Sequence, residues 1–403
     1  MRSTDETPAA KACNQAAEPL AYASGRTSPV SITNTAMETA KPDRSLRRGW
    51  TTGTCATAAT RAAYEALLTG AFPDPVSVLL PGGERPAFAL ATTRLGDGWA
   101  QAGVVKDAGD DPDVTHGALI VSTVRPGAPG SGVTFRAGEG VGTVTRAGLP
   151  LLPGEPAINP VPREMIRTAI AEAASLNRGS GDIIVEISIP GGEKIAEKTL
   201  NGRLGIIGGL SILGTTGVVV PFSCSAWIHS IHRGIDVARA AGLEHVAGAT
   251  GSTSEAAVAA LYGLPETALI DMGDFVGGML KYLRHHPVPR VTVAGGMAKM
   301  TKLGQGLLDL HSRRGEVDLH WLSRAAIDMG GDTGLAARIT QSNSALEAFG
   351  HARAAGVDLP GGVAGCAWRT AAAALGLGMR LEVVVFDRSG RLLARTGFRE
   401  SGP

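Results

Sequence analysis

The sequence predicts a two-part protein of mixed class, with an N-terminal α+β domain over residues 46–203 and a C-terminal α/β domain over residues 204–403. Short strands separated by turn residues, with two helices among them, predict the α+β domain. Short apolar strands that alternate with helices, three of them recurring about every 22 residues, predict a parallel, Rossmann-like sheet in the second. A length of 403 residues is typical of two or three domains.

The composition indicates a folded protein and restricts its partners. Hydrophobic residues make up 44% of the chain, and Gly takes 55 of 403 positions, roughly twice ordinary usage. A formal net charge of +1 argues against a nucleic-acid partner. The chain has no run of 18 apolar residues and no apolar N-terminal stretch, so we expect a cytoplasmic protein without a membrane span. Residues 1–45 are predicted to be a disordered tail.

The cysteines do not predict a metal site. Cys13, Cys55, Cys224 and Cys366 form no CxxC pair and have no zinc-site spacing. Free thiols in a reducing compartment are the simplest interpretation.

In the first half, a hydroxyl-rich cap, a small-residue run and a glycine stop predict a helix over 50–70. A second helix is predicted from Arg163 to about Ser175. The predicted strands are Val76–Leu80, Ala87–Thr92, Trp99–Val105, Leu119–Val124, Val133–Arg136, Val141–Thr145 and Ile183–Ile189.

In the second half, strands and helices alternate. The predicted strands are Gly217–Val220, His245–Ala249, Ala268–Asp271, Arg290–Val293 and Leu381–Phe386. The predicted helices are Ala226–Ala241, Ser254–Leu261, Phe275–His285, Lys299–Leu310, Leu319–Met329, Gly334–Phe349 and Val363–Leu375.

The segment Arg48–Cys55 places hydroxyls and glycine directly before a helix. Free backbone N–H groups and the helix dipole at such a start favour a carboxylate or a phosphate. We take Thr51, Thr52 and Thr54 as candidate substrate-binding residues; the alternative is a plain capping segment.

The segment Lys106–Gly117 packs four aspartates, one lysine and one histidine into twelve residues. The spacing is not that of an EF-hand, so no metal site is predicted. His116, with Asp107 and Asp110, is the candidate for acid–base chemistry, and Lys106 for substrate binding. The alternative is a polar turn capped by aspartate.

Glycines alternate along residues 138–142, where they are expected to let a flat ligand lie against the backbone. Carboxylates of such a ligand would pair with arginine, since the guanidinium binds them with two hydrogen bonds. The candidate residues for this role are Arg136, Arg146, Arg163 and Arg167, and Asn159 is a further candidate for substrate binding. For any single arginine, an ordinary surface position is the alternative.

Glycine- or aspartate-rich loops follow several strands of the second half. Ligands of α/β sheets bind beyond the carboxyl ends of the strands, so these loops predict a nucleoside-type ligand. The candidate residues are Gly214, Thr215, Gly248, Thr250, Gly251, Ser252 and Asp271. The chain lacks GxGxxG, a P-loop and a GxSxG elbow, which argues against a classical dinucleotide site.

Five of these stretches together resemble the cobalt-precorrin-5B methyltransferase family of cobalamin biosynthesis, which methylates carbon 1 of the ring. They are Arg48–Cys55, Val105–Gly117, Gly138–Arg146, Gly154–Pro162 and Ser211–Gly217. The resemblance runs from about Leu46 to the end, and is looser in the second half. There the family usually has a Gly-His pair ahead of a lysine, where this chain has Gly296 and Met297.

The resemblance implies S-adenosylmethionine as methyl donor and a reduced, polycarboxylated tetrapyrrole as acceptor. The donor is already activated, so the enzyme mainly positions the reactants, an effect worth about 7–11 kcal/mol. With only 4% aromatic residues, we expect carboxylates and backbone, more than stacking, to hold the ring. The alternatives are a tetrapyrrole carrier without catalysis and a nicotinamide-dependent oxidoreductase. The sequence leaves open a homodimer or a transient contact with neighbouring pathway enzymes.

Overall fold

A computed structural model of the protein describes residues 46–402, which form two compact units. The first unit contains residues 46–246 and 263–270, and the second contains 247–262 and the chain from 271 onward. The predicted disordered tail, 1–45, lies outside the described residues. Residues 204–246, which the sequence analysis assigned to the C-terminal half, lie in the first unit because their short strands pair with strands of that unit.

The first unit is built on a five-stranded sheet of order β4-β5-β6-β9-β7, antiparallel except for the parallel pair β7 and β9. Two-stranded sheets join β1 to β11, β2 to β3 and β8 to β10. The strands are β1 (Gly49–Trp50), β2 (Val76–Ser77), β3 (Ala87–Phe88), β4 (Thr92–Gly96), β5 (Trp99–Val105), β6 (Leu119–Pro126), β7 (Val133–Ala137), β8 (Thr143–Val144), β9 (Ile183–Ser188), β10 (Ile206–Ile207) and β11 (Val218–Val219). The helices are α1 (Thr52–Thr69), α2 (Pro160–Asn177), α3 (Gly192–Ala196) and α4 (Cys224–Ala240).

Helix α1 begins and ends where its sequence predicts. The Thr51 side chain accepts a hydrogen bond from the backbone N–H of Thr54, and Gly70 ends the helix with φ +79°. Most α1 side chains are alanine or threonine and are buried, so the helix approaches α2, β5 and β6 closely. The N-terminus of α1 is therefore fixed within the core of the first unit.

Most of the second unit's strands belong to a six-stranded sheet of order β13-β12-β14-β15-β16, with β17 also pairing with β15. Residues 245–246 of β12 and 269–270 of β13 are assigned to the first unit. Strands β14 and β15 are parallel, whereas β16 and β17 are antiparallel to β15. The strands are β12 (His245–Ala249), β13 (Leu269–Asp271), β14 (Arg290–Gly296), β15 (Arg380–Phe386), β16 (Leu392–Arg395) and β17 (Arg399–Glu400). The helices are α5 (Ser252–Tyr262), α6 (Val276–His285), α7 (Met297–Gly304), α8 (Leu319–Asp328), α9 (Thr333–Thr340), α10 (Ala345–Ala354) and α11 (Leu359–Leu375).

The predicted mixed α/β class is confirmed, with sheets of mixed orientation. The parallel, Rossmann-like sheet predicted for the second half is not confirmed. The sequence analysis did not predict strands β16 and β17, and both run antiparallel to β15. The single helix predicted over Gly334–Phe349 is two helices, since Ser344 caps α10 by accepting from the N–H of Glu347. No helix in the described part of the chain has the length and apolar character needed to cross a bilayer.

Candidate active site

Three stretches singled out in the sequence meet at the start of α1. Strand β1 pairs with β11 in the register Gly49 with Val219. The backbone N–H of Trp50 donates to the carbonyl oxygen of Asp107 at 2.7 Å. The backbone N–H of Phe222 donates to Asp111 Oδ1 at 2.8 Å. Residues 47–50, 106–117 and 213–222 are thus tied together, and we call them the three-loop surface.

Two aspartates of this surface hold Arg47. The Asp107 carboxylate accepts two hydrogen bonds from its guanidinium, and the Arg47 N–H donates to Asp110 Oδ2 at 2.7 Å. The hydrogen bond from Arg47, helped by the N–H of Gly109, lowers the pKa of Asp107 to about 2. Asp107 and Asp110, predicted as catalytic, are therefore engaged in holding the loop to the residues before α1.

Lys106 is buried with 1% of its surface exposed, and its Nζ lies 2.7 Å from Asp113 Oδ2. Asp113 Oδ1 also accepts from the N–H and the hydroxyl of Thr115. Burial opposes ionisation of Asp113, but the bonds from Lys106 and Thr115 outweigh it, so its pKa lies below the ordinary value. Lys106 was predicted to bind substrate. These contacts make it the internal partner of Asp113, because its ammonium is not exposed.

His116 differs from the aspartates, because its side chain is 54% exposed. Its Nδ1 accepts a hydrogen bond from the backbone N–H of Ala108 at 3.1 Å. A neutral ring that accepts at Nδ1 carries its proton on Nε2. His116 in this arrangement therefore presents a donor to solvent at Nε2.

The threonine hydroxyls before and within α1 are occupied by the protein. Thr52 Oγ1 accepts from the N–H of Leu213 at 2.9 Å, and Thr54 Oγ1 donates to the carbonyl of Gly217 at 2.6 Å. Thr51, Thr52 and Thr54 are all buried. Their contacts correspond to the capping alternative: the hydroxyls hold loop 213–217 against the helix start.

The candidate arginines divide into held and exposed side chains. Arg163 pairs with Glu155 at 2.7 Å, donates to the carbonyl of Ile158 and lies over the ring of Phe135. Arg146 donates to a neighbouring carbonyl, that of Arg203. Arg136, on β7, is exposed and forms no ion pair with a described residue. Asn159 precedes α2 as its N-cap without a side-chain capping bond.

The glycines of residues 138–142 pack against this protein and not against open space. A methyl group added at Gly138, Gly140 or Gly142 would overlap with Ser188, with the carbonyl of Ile189 or with Ile206, respectively. The expectation that a flat ligand approaches the backbone here is therefore wrong. The glycines serve close packing of chain segments.

A cavity of about 400 Å³ lies in the second unit. It is bordered by the segments that follow β12, β14 and β15 and by the start of α10. The sequence predicted Thr250, Gly251 and Ser252 among its lining residues. Its other lining residues are Thr253, Ser254, Gly296, Met297, Ala298, Lys299, Ser344, Ala345, Leu346, Phe386, Asp387 and Arg388.

Four residues predicted for the same ligand do not line this cavity. Gly248 lies within β12, where an added methyl would overlap with Met279, and Asp271 ends β13. Gly214 and Thr215 belong to the first unit, where Gly214 packs against Thr51. A glycine-rich sequence pattern does not distinguish these four residues from the residues that line the cavity.

Two cavity glycines have free space in front of them. A methyl group added at Gly251 or Gly296 would meet no protein atom within 4 Å. Lys299, in the first turn of α7, donates to the carbonyl of Thr250 at 3.0 Å and lies 2.8 Å from Asp274 Oδ1. Lys299 thus links the segments that follow β12 and β13, and both glycines lie on the cavity wall with open space in front of them.

Sequence reasoning missed the turn after β15 and the start of α10. Asp387 Oδ1 accepts from the N–H and hydroxyl of Ser389 and from the N–H of Arg391. This turn presents Arg388, which is exposed and forms no ion pair with a described residue. The sequence Asp-Arg-Ser-Gly directly after an apolar strand is typical of a turn and could have indicated this one.

Comparison with known proteins gives matches over most of the chain. The family model described as CbiD matches residues 39–221, and that described as CbiD, C-terminal domain, matches 309–397. Three similar proteins carry the name cobalt-precorrin-5B C(1)-methyltransferase. That of Agrobacterium fabrum is 68% identical and covers 88% of this chain and 93% of its own length. That of Bradyrhizobium sp. is 67% identical, covering 89% and 96%, and that of Methylorubrum extorquens is 63% identical, covering 87% and 97%.

A solved structure is also similar in sequence. It is the 1.9 Å crystal structure of the cobalamin biosynthesis protein (cbiD) from Archaeoglobus fulgidus. The two chains are 25% identical, with 77% of this chain and 85% of that chain covered and a TM-score of 0.36.

Proposed function

The chain belongs to the CbiD family, and from this premise we propose that it methylates carbon 1 of cobalt-precorrin-5B to give cobalt-precorrin-6A. The observation that carries the proposal is 68% identity to a cobalt-precorrin-5B C(1)-methyltransferase over 88% of the chain. Neither the carrier nor the oxidoreductase alternative is supported by the relatives compared above.

We propose S-adenosylmethionine as the methyl donor and the cavity of the second unit as its site. A volume of about 400 Å³ falls in the range of about 300–1,000 Å³ that holds small molecules. Apolar side chains such as Met297 and Phe386 stand beside hydroxyls and backbone amides, which fits a nucleoside with an amino-acid tail. The position after β14 and β15 is the one that a Rossmann-like sheet uses. The donor supplies an activated methyl group, so the task of these residues is to bind and orient it.

We assign the tetrapyrrole acceptor to the first unit, on the three-loop surface. The fold supports this assignment by bringing together three stretches distant in sequence, with the exposed ring of His116 among them. The buried Lys106–Asp113 pair and the bonds of Asp107 and Asp110 to Arg47 keep that surface rigid. Rigid positioning is the effect that this reaction needs most.

The proposed reaction is tested with methyl-labelled S-adenosylmethionine, cobalt-precorrin-5B and the full chain. We expect the label on carbon 1 of the ring, located by NMR of the product. Tight binding of the ring without transfer of the label would favour the carrier instead. A change in absorbance that requires a nicotinamide would favour the oxidoreductase.

We propose that His116 donates a hydrogen bond from Nε2 to a carboxylate arm of the acceptor, since Nδ1 accepts from Ala108 and the neutral ring then carries its proton on Nε2. A hydrogen bond to a charged group contributes about 1.5–3 kcal/mol, or roughly a 10- to 160-fold difference in Kd. His116→Ala removes this donor, so the KM for cobalt-precorrin-5B should rise at least about tenfold. An acceptor KM within twofold of the wild type in His116→Ala would contradict this role.

A further inference from the structure

Phe222 has a backbone conformation that its residue type disfavours. Among the described residues, only Arg178 and Phe222 combine a side chain with a positive φ. Arg178 is the C-cap of α2, where the left-handed conformation is common. Phe222, with φ +56°, has no such position, and a bulky residue there is strained. Strain of this kind concentrates at ligand-binding sites, so Phe222 requires a functional explanation.

The fold holds this strained residue in place and leaves its ring in solvent. The N–H of Phe222 is bonded to Asp111 Oδ1 at 2.8 Å, and β11, just before it, is paired with β1. The Phe222 side chain is nevertheless 66% exposed. Val220 and Leu213 of the same surface are 50% and 48% exposed. A surface with several exposed apolar side chains indicates a binding site for an apolar ligand face.

A cation stands beside this apolar group. Arg48 directly precedes β1, and the antiparallel register of Gly49 with Val219 places it opposite Val220. Arg48 is exposed and forms no ion pair with a described residue. An occupant that is flat and apolar on its faces but carries carboxylates at its edge complements this combination.

We propose that Phe222 is the platform on which the acceptor macrocycle lies, with Arg48 pairing with one of its carboxylate arms. The inference rests on the proposed function, since the acceptor class comes from there. Asp111 is the positioning residue, because its carboxylate fixes the backbone that presents the ring. Because the chain has few aromatic residues, an exposed ring such as that of Phe222 is more informative. Its ring adds a stacking contact to the expected binding of the acceptor by its carboxylates.

The test is Phe222→Gly, because glycine adopts a positive φ without strain. We expect the KM for cobalt-precorrin-5B to rise at least about tenfold through loss of the aromatic contact, with the KM for the donor unchanged. The unfolding midpoint should stay the same or rise, since the removed strain offsets the greater freedom of the unfolded chain. Phe222→Tyr should keep the acceptor KM within about threefold of the wild type.

Leu176→Ala is the matched control, since Leu176 is 74% exposed on α2, in the same unit; it should change neither KM. An acceptor KM within twofold of the wild type in Phe222→Gly overturns the proposal, as does an equal loss in Phe222→Tyr. If the wild type transfers no methyl group, the proposed function fails on its own. Absorbance titration of the macrocycle without donor then still shows whether Phe222→Gly weakens ring binding.

Discussion

Gly296→Ala is expected to remove most of the affinity for the methyl donor without unfolding the protein. Gly296 has φ −76° and ψ 161°, which alanine adopts freely, and an added methyl meets no protein atom within 4 Å. The methyl would instead occupy the cavity, where overpacking costs about 1–3 kcal/mol, or roughly a five- to 150-fold rise in Kd. Calorimetry with S-adenosylmethionine measures this change, and Gly251→Ala should behave alike, since its added methyl also faces open space.

The control for this prediction is Gly350→Ala. Gly350 lies inside α10 and also has open space in front of it. Alanine should stabilise that helix by about 0.5–1 kcal/mol and leave donor affinity unchanged. Wild-type donor affinity in both Gly251→Ala and Gly296→Ala would show that the cavity is not the donor site.

Lys106→Met is expected to be the most destabilising change on the three-loop surface. Lys106 is 1% exposed, and its ion pair with Asp113 is largely buried. Removing one partner of a buried pair leaves an uncompensated charge, which costs about 3–5 kcal/mol. Because Asp113 keeps 25% of its side chain exposed, we expect the lower end of that range in free energy of unfolding, measured by chemical denaturation at pH 7.

The pH dependence of this loss follows from the ionisation of Asp113. In the wild type its pKa is lowered, so the pair contributes stability above the ordinary carboxyl pKa of about 4 and loses it as pH falls further. In Lys106→Met the carboxyl can escape its unpaired charge by taking up a proton. The difference between variant and wild type should therefore be largest at neutral pH and shrink below about pH 4.

A second substitution checks the cause of this loss. Asp113→Asn in the Lys106→Met background removes the unpaired charge and should recover part of the lost stability at pH 7. An equal loss at pH 7 and at about pH 3, or no recovery in the double variant, would show that packing of the lysine stem, and not charge, determines the effect.

Local structure was largely predictable because it depends on neighbours in sequence. The cap at Thr51 and the stop at Gly70 fix the ends of α1. The limits of β12, His245–Ala249, also agree with the prediction, since an apolar run bounded by turn residues specifies them. The break between α9 and α10 was missed because the 3.6-residue apolar pattern continues across it, while the capping bond at Ser344 interrupts the helix.

The candidate sites depended on contacts that no local pattern contains. The sequence analysis selected the aspartate-rich stretch as a candidate site, but two of its partners, Arg47 and Phe222, lie 60 and 111 positions away in sequence. Those partners convert most of the predicted catalytic and binding side chains into supports and leave His116 exposed. The C-terminal side of the cavity was missed for the same reason, since Arg388 and Thr250 line one cavity only once the sheet has folded.

The surroundings of each glycine are a property that the sequence leaves open and that only the tertiary structure decides. The sequence by itself determined the family, the mixed α/β class and the stretches where glycine clusters. It did not determine which glycines face a ligand, because a glycine before open space and one against a neighbouring backbone look identical in sequence. Gly140 packs under the carbonyl of Ile189, whereas Gly296 opens onto the cavity. That difference arises from residues brought close by long-range strand pairing, and so it exists only in the folded chain.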